Sequence, residues 1–325
     1  MIEAAAARAD GIVRRTPLLS SPFLDEISGG RVFVKAECLQ HTGSFKFRGG
    51  WSALSGMPQD AIKRGVIAFS SGNHAQGIAL AAKMRGVPAV IVMPEDAPKL
   101  KIGNTRALGA EVVLYNREEQ DRDQVADRVN RGRGLTLVKP FDEPFVIAGQ
   151  GTTGLEIAEQ ALEVGVSAAQ VLVPCGGGGL SSGIALALET HAPEMIVRPC
   201  EPVGFDDVLR SLASRGIERN NLMNGSICDA ILTPSPGELT FPIMQRLCGP
   251  GCAVSDNDCL RAMQLAFSRL KIVIEPGGAA ALAAALFHRD SLGEGDIITV
   301  ASGGNVDAGV FQKALEIEPL VQSPR

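Results

Sequence analysis

From residue 66 onward, short apolar runs alternate with longer stretches whose apolar positions recur every three or four residues. The runs 66–69, 89–93, 112–115 and 135–138 read as buried strands. Between them, 75–85, 99–108 and 121–131 read as helices, each followed by a glycine at 86, 109 or 132. The alternation resumes with a helix over 155–164, a strand over 170–173, a helix over 180–189 and a strand over 195–200. A helix over 256–270 opens at Ser255, an Ala-rich helix covers 279–287, and 297–301 is the last strand. Ahead of residue 66 the pattern predicts a helix over 1–15, a strand over 32–36 and a helix over 47–55. The stretch 216–250, rich in Gly, Pro and Asn, reads as irregular. Strands alternating with helices in this way imply an α/β fold of parallel βαβ units with right-handed crossovers.

Three polar or glycine-rich loops then fall at carboxyl ends of strands: 70–74, 176–179 and 302–305. Open parallel sheets bind ligands at that edge. Gly176, Gly177, Gly178 and Gly179, between an apolar strand and the helix opened by Leu180, suit an anion, because close backbone approach and helix-start N–H groups coincide there. No Gly-Lys-Ser/Thr follows, so the loop is not a P-loop. Ser70, Ser71, Gly72, Asn73 and His74 offer hydroxyls, an amide and N–H groups before a helix, which suits a carboxylate or makes a helix cap. Ser302, Gly303, Gly304 and Asn305 make half a ligand pocket or a tight turn. Residues 149–154, Gly-Gln-Gly-Thr-Thr-Gly, match the dinucleotide fingerprint by letter, yet a weak preceding run and no acid for a ribose favour a helix start packed on its neighbours.

Lys46 stands between Phe45 and Phe47, behind Gly43-Ser44 and ahead of Arg48-Gly49-Gly50. An apolar wall disfavours the ammonium form and suits a nucleophilic amine, as a Schiff base requires, while a surface lysine at a helix start fits the octapeptide equally well. Glu201, Asp206 and Asp207 gather three carboxylates after a strand, a spacing that suits Mg²⁺ or Ca²⁺ and equally a solvated acidic turn with Asp206 or Asp207 capping a helix.

The chain has 325 residues, 45% hydrophobic and 21% charged, enough for two domains with sizeable cores. A net charge of −5 gives no electrostatic reason to expect nucleic acid or an anionic membrane. No apolar run reaches the roughly 18 residues of a spanning helix, and no basic segment with an apolar core marks a signal peptide. Seven scattered cysteines without a Cys-x-x-Cys pair read as reduced thiols of a cytoplasmic protein.

Taken together, these stretches resemble the fold type II (tryptophan synthase β-like) pyridoxal-phosphate enzymes, in the branch of threonine/serine dehydratases and serine racemase. The likeness runs from Arg15-Thr16-Pro17-Leu18 to the Ser302 loop. It implies two open, twisted, mostly parallel sheets with flanking helices: a large cofactor-binding domain of residues 1–64 and 146–325, and a small domain of 65–145. It implies pyridoxal 5'-phosphate bound to Lys46 as a Schiff base, with Phe45 against the ring and Asn73 on the ring hydroxyl. Gly176 to Gly179 and Leu180 would hold the phosphate and Ser302 the ring nitrogen. Ser71 would face Lys46 across the ring, and Ser70, Gly72, Asn73 and His74 would join it in taking the substrate carboxylate. Arg128 falls near the position of a family arginine at the β-substituent, although a surface helix arginine fits it as well. Glu201, Asp207 and the Phe205 carbonyl match the family's divalent-metal site. The implied activity is β-elimination from L-threonine or L-serine to a 2-oxo acid and ammonia, with serine racemisation or 3-hydroxyaspartate dehydration as alternatives. The implied assembly is a homodimer.

Overall fold

Among the described residues, ten strands form two sheets. The structure is a computed structural model that describes every residue except Ser71, Pro98, Arg117, Met223 and residues 318–325. In chain order the strands are β1 (Leu18–Ser20), β2 (Val32–Lys35), β3 (Val66–Phe69), β4 (Ala89–Pro94), β5 (Glu111–Tyr115), β6 (Thr136–Leu137), β7 (Ala169–Pro174), β8 (Met195–Pro202), β9 (Cys252–Val254) and β10 (Asp296–Val300). The larger sheet has the order β1-β2-β10-β7-β8-β9 and the smaller β5-β4-β3-β6. All pairings are parallel except that of β1 with β2. Strands β2, β3 and β4 are buried at every position, which is why they read as unbroken apolar runs rather than alternating ones.

The larger sheet's order decides where the chemistry sits. The last strand, β10, inserts between β2 and β7. The chain leaving β2 toward Lys46, the glycine loop after β7 and the Ser302 loop after β10 therefore emerge side by side. A short bridge between Ser44 and Gly303 and a bond from the Phe45 N–H to the Ser302 carbonyl (3.1 Å) join two of them directly. The helix Pro276–Phe287, buried from Pro276 through Leu286, runs through the core beside this sheet.

Close helix crossings bring the smaller sheet's contribution to the same place. A Cβ on Gly77 would stand 2.9 Å from the Lys46 carbonyl carbon, so the helices Lys46–Gly56 and Asn73–Arg85 meet almost backbone to backbone. The helix over Pro144–Glu163 begins at Pro144 rather than at 155, because Glu143 accepts the Val146 N–H (2.7 Å) and proline suits a first turn. The fingerprint-like glycines lie inside it. A Cβ on Gly151 would come within 2.9 Å of the Gly183 carbonyl oxygen, so these positions are a packing surface.

Other differences are local. The first helix stops at Ala9 rather than 15. The stretch 216–250 contains a helix, Thr240–Leu247, and a 3₁₀ turn, Asp229–Ile231. The expected helix 256–270 is α-helical over Asp256–Leu265 and a π turn over Ala266–Leu270. The strands β1 and β9 and the helices Pro22–Ser28 and Ala308–Leu315 had no counterpart in the sequence pattern.

Behind Lys46 lies a buried ionic cluster. Arg48 donates to both Glu37 oxygens (2.8 Å each) and both Glu156 oxygens (2.7 and 2.8 Å). Lys35 donates to Glu156 (2.5 Å), Gln160 (2.7 Å) and the Thr16 carbonyl (2.8 Å). Two cations and two carboxylates cancel, and the cluster ties β2, the Lys46 helix and the helix Pro144–Glu163 together. Burial works against the Glu37 charge, yet Arg48 holds its carboxyl below the usual range. Replacing Arg48 by Met strands Glu37 without its partner and should cost about 3–5 kcal/mol in urea unfolding, whereas a loss below about 1 kcal/mol would show that the cluster holds nothing together.

Candidate active site

One cavity is lined by Phe45, Lys46, Ser70, Gly72, Asn73, His74, Gly176 to Leu180 and Ser302. The edges of both sheets thus meet at a shared site, as the three loops implied. Ser71 lies outside the described residues.

The Lys46 amine donates to the Pro140 carbonyl (2.9 Å) and lies 5.1 Å from the Phe45 ring centroid. Burial lowers its pKa to about 8, and the Glu275 carboxylate partly opposes that shift. Phe47, on the other side in sequence, is fully buried and stacks on Trp51 instead. Glu275 is itself raised to about 7, by burial first. It accepts the Asn73 amide N–H (2.5 Å), and Asn73 in turn accepts from Asn305 (2.7 Å). Glu275, Lys101, Arg122, Phe141 and Asp229 also line the cavity, and the sequence pattern did not single them out. Only the Pro276-Gly277-Gly278 that follows Glu275, a helix-start signal, could have drawn attention to it.

The glycine loop is an anion cradle in geometry. None of the backbone N–H groups from Gly176 to Leu180 has a protein acceptor among the described residues. They open the helix Gly179–His191, whose dipole favours negative charge at that end. A Cβ on Gly177 would run into the Phe141 ring, so bare backbone forms the wall. On the other side, Ser70 takes the Gly72 N–H (3.1 Å). Among the described residues, the N–H groups of Asn73 and His74, which open the helix Asn73–Arg85, have no acceptor. Among the described residues, five buried polar atoms of the cavity lining lack any hydrogen-bond partner: His74 Nδ1, Gln150 Oε1, Ser181 Oγ, Thr233 Oγ1 and Glu275 Oε2. Unpaired buried polar atoms are costly, so such a wall suits a polar ligand.

Residues 9–303 match the family model described as pyridoxal-phosphate dependent enzyme. The chain belongs to the pyridoxal-phosphate-dependent enzymes. It is 40% identical to the L-threo-3-hydroxyaspartate ammonia-lyase of a Pseudomonas species, over 96% of each chain. It is 39% identical to the L-threonine ammonia-lyase of Thermotoga maritima, covering 100% of this chain and 79% of the relative. The solved structure of maize serine racemase superposes with a TM-score of 0.90 at 36% identity, covering 97% of this chain and 95% of that one. The likeness in fold is that of the fold type II enzymes. The residues present fit the cofactor: five free N–H groups for a phosphate, an amine of lowered pKa for an aldehyde, and unpaired polar atoms around the space between.

The remaining expected positions of this pyridoxal-phosphate-dependent enzyme fall elsewhere. Arg128 is exposed on the helix Arg122–Asn130 and does not line the cavity. Arg122, at the start of that helix, does line it, with its guanidinium 4.7 Å from the Phe69 ring centroid. The two arginines lie about one and two-thirds turns apart and face different ways, and the helix periodicity alone could not say which face meets the cavity. Glu201 spends its oxygens on the Val208 and Leu209 N–H groups (2.9 and 2.7 Å), so it, rather than Asp206 or Asp207, caps the helix Asp207–Ser214. Asp207 accepts from Asn220 (2.5 Å) through Oδ1, while its buried Oδ2 has no partner. Burial pushes the Asp207 carboxyl up to about 6 and the Glu201 carboxyl well above its usual range, and Asp207 adds to the Glu201 shift. Phe205 is buried, and no cluster of three or more His, Cys, Asp or Glu side chains among the described residues is placed to hold a metal.

Because burial disfavours the Lys46 ammonium, the fraction of free amine rises with pH through about 8. Reductive methylation of the apoprotein, followed at Lys46 by peptide mass spectrometry, should show that midpoint. Glu275→Gln should move the midpoint lower, because the removed charge is one that holds a proton on Lys46. A midpoint near about 10, that of a free lysine, would contradict the electrostatic account.

Proposed function

We propose that this enzyme eliminates the β-hydroxyl of a small hydroxy amino acid, L-threonine or L-serine, and releases a 2-oxo acid and ammonia. The observation that carries the reading is that the Lys46 amine and the free N–H groups of Gly176 to Leu180 line one cavity. The activities named for relatives at 39–40% identity point the same way. When bound, pyridoxal phosphate supplies the aldehyde that takes the substrate amine and the electron sink behind Cα.

Lys46 would hold the cofactor and, with its amine free, would take the Cα proton as general base. A pKa of about 8 leaves a useful fraction of its amine free near neutrality. The backbone N–H groups of Gly176 to Gly179 and Leu180 would hold the phosphate, and Phe45 would lie against the ring. Asn73, braced between Glu275 and Asn305, would meet the ring hydroxyl. Ser302 would meet the ring nitrogen, and a neutral hydroxyl there, rather than a carboxylate, would favour loss of the β-hydroxyl over transamination. Ser70, Gly72, Asn73 and His74 receive the substrate carboxylate. Burial lowers the His74 pKa to about 3, and its ring N–H is spent on the Val138 carbonyl (3.0 Å), so it serves through its backbone N–H and not as an acid. The β-hydroxyl leaves with a proton as water, and the freed enamine becomes an imine that water splits into the 2-oxo acid and ammonia. Lys46→Ala should abolish both products from L-serine and L-threonine and the visible absorbance of the bound cofactor. A wild-type enzyme that forms no 2-oxo acid from any β-hydroxy amino acid would refute the reading.

A second reading has its own observation. Arg122 in the cavity, not Arg128, is placed for a second carboxylate, as in 3-hydroxyaspartate. In that case Arg122→Ala should lower kcat/KM for L-threo-3-hydroxyaspartate by about 10–100-fold, the worth of a charge-assisted hydrogen bond, and that for L-threonine by less than about threefold. Equal losses on both substrates would count against it. A racemase reaction would need Ser71 to return the proton from the opposite face, and chiral analysis of residual serine separates that outcome.

Glu201, Asp207 and the Phe205 carbonyl remain the reading for a Mg²⁺ or Ca²⁺ site, supported by the unpartnered Asp207 Oδ2. A cation bound only by the folded protein raises its melting temperature. Added Mg²⁺ or Ca²⁺ should therefore raise it and chelator lower it, and indifference to both would remove the site. The division into 1–64 with 146–325 and 65–145 is supported by the smaller sheet, whose strands all lie between Val66 and Leu137. A homodimer stays part of this reading, and a reducing cytoplasm is supported by seven free thiols. No described helix is long and apolar enough to cross a membrane. With a net charge of −5, we assign no nucleic-acid or membrane partner.

A further inference from the structure

Consecutive glycines carry no side chain that would choose which way each peptide unit faces. A cradle of inward N–H groups built from Gly176 to Gly179 therefore needs a lock from outside. The structure shows one at the Gly177–Gly178 peptide. The Gly177 carbonyl accepts the Thr240 hydroxyl (2.6 Å) and the Gly237 N–H (3.2 Å). Thr240 Oγ1 also accepts the Gly237 N–H (3.0 Å), so the three groups close a small ring of bonds.

Thr240 is itself fixed on every side. It is fully buried and opens the helix Thr240–Leu247. Asp142 Oδ1 accepts the Leu239 and Thr240 N–H groups (2.8 and 3.3 Å). The Thr240 carbonyl accepts the Ser182 hydroxyl (3.1 Å), in the first turn of the helix that the cradle opens. Gly237 tolerates Asp142 at this distance only because it lacks a side chain, since a Cβ there would collide with the carboxylate.

In a trans peptide the C=O and the following N–H point in opposite directions, and no described peptide bond is cis. Drawing the Gly177 carbonyl out to Thr240 turns the Gly178 N–H the other way. Gly178 has φ 90°, a left-handed conformation that its lack of a side chain permits, and it lines the cavity. We propose that Thr240, held by Asp142, is a positioning residue for the cofactor phosphate: it fixes the peptide whose N–H the phosphate meets, without touching the cofactor. The inference rests on assigning the glycine loop to the phosphate, and the test separates the two.

Apoprotein is titrated with pyridoxal phosphate and with pyridoxal, which has the aldehyde for Lys46 but no phosphate, and both dissociation constants are read from absorbance and protein fluorescence. Thr240→Val keeps the shape and removes the donor. It should raise the Kd for pyridoxal phosphate by about tenfold or more, and leave that for pyridoxal within about twofold, as expected for one lost buried hydrogen bond that acts on the phosphate alone. Thr240→Ser, which keeps the hydroxyl, should restore the pyridoxal phosphate Kd to within about threefold of wild type. Thr240→Ala takes the place of the valine variant if that variant does not fold. Unchanged affinity for pyridoxal phosphate, or an equal loss for both ligands, overturns the proposal. Wild-type protein that binds pyridoxal no less tightly than pyridoxal phosphate overturns the phosphate assignment itself.

Discussion

A lysine amine must be kept out of water and yet free to lose its proton, and the site is arranged around that requirement. An ammonium group loses its hydration when buried, and only close negative charge restores the balance. The chain contains instructive contrasts. Arg48, two residues beyond Lys46, is buried against two carboxylates at hydrogen-bond distance and stays charged. Lys101, on the cavity wall, is held protonated by Asp229 in spite of its burial. Lys46 has a neutral carbonyl as its hydrogen-bond acceptor, and the nearest influence of opposite sign, Glu275, is raised to about 7 by its own burial. Lys46 differs from Arg48 and Lys101 in having a carbonyl rather than a carboxylate as its hydrogen-bond acceptor.

That arrangement depends on the order of strands in the larger sheet. Because β10 lies between β2 and β7, the amine, the glycine loop and Ser302 reach one edge from three distant parts of the chain. The ionic cluster of Lys35, Arg48, Glu37 and Glu156 holds the amine's helix from behind, where no ligand reaches. The segment from Pro140 to Asp142 reaches the same centre from the smaller sheet's last strand. Pro140 accepts from Lys46, Phe141 walls the cradle, and Asp142 caps the helix opened by Thr240. Three consecutive residues thus touch three parts of the site.

Much of this was legible in the residues. The alternation of buried strands and helices marked an α/β fold with parallel sheets, and the loops at 70–74, 176–179 and 302–305 marked the edge where they meet. Glycine loops and strand ends are local signals, so they survive in sequence. Glu275, Arg122 and Thr240 were not legible, because each owes its place to a partner far along the chain. Glu275 looks like a helix-start acid until Asn73, 202 positions away, is seen to bond it. Arg122 and Arg128 share one polar helix, and only tertiary packing decides which of them meets the cavity. The helix Thr240–Leu247 was hidden by the glycines and prolines around it, and packing against the helix Gly179–His191 overrides that weak propensity.

A crystal structure of the enzyme grown with pyridoxal phosphate tests the central claim most directly. Electron density continuous from Lys46 Nζ to the cofactor, with phosphate oxygens about 3 Å from the N–H groups of Gly176 to Leu180, is the predicted result. Density joining the cofactor to another lysine, or a phosphate lying away from those five N–H groups, would contradict the account.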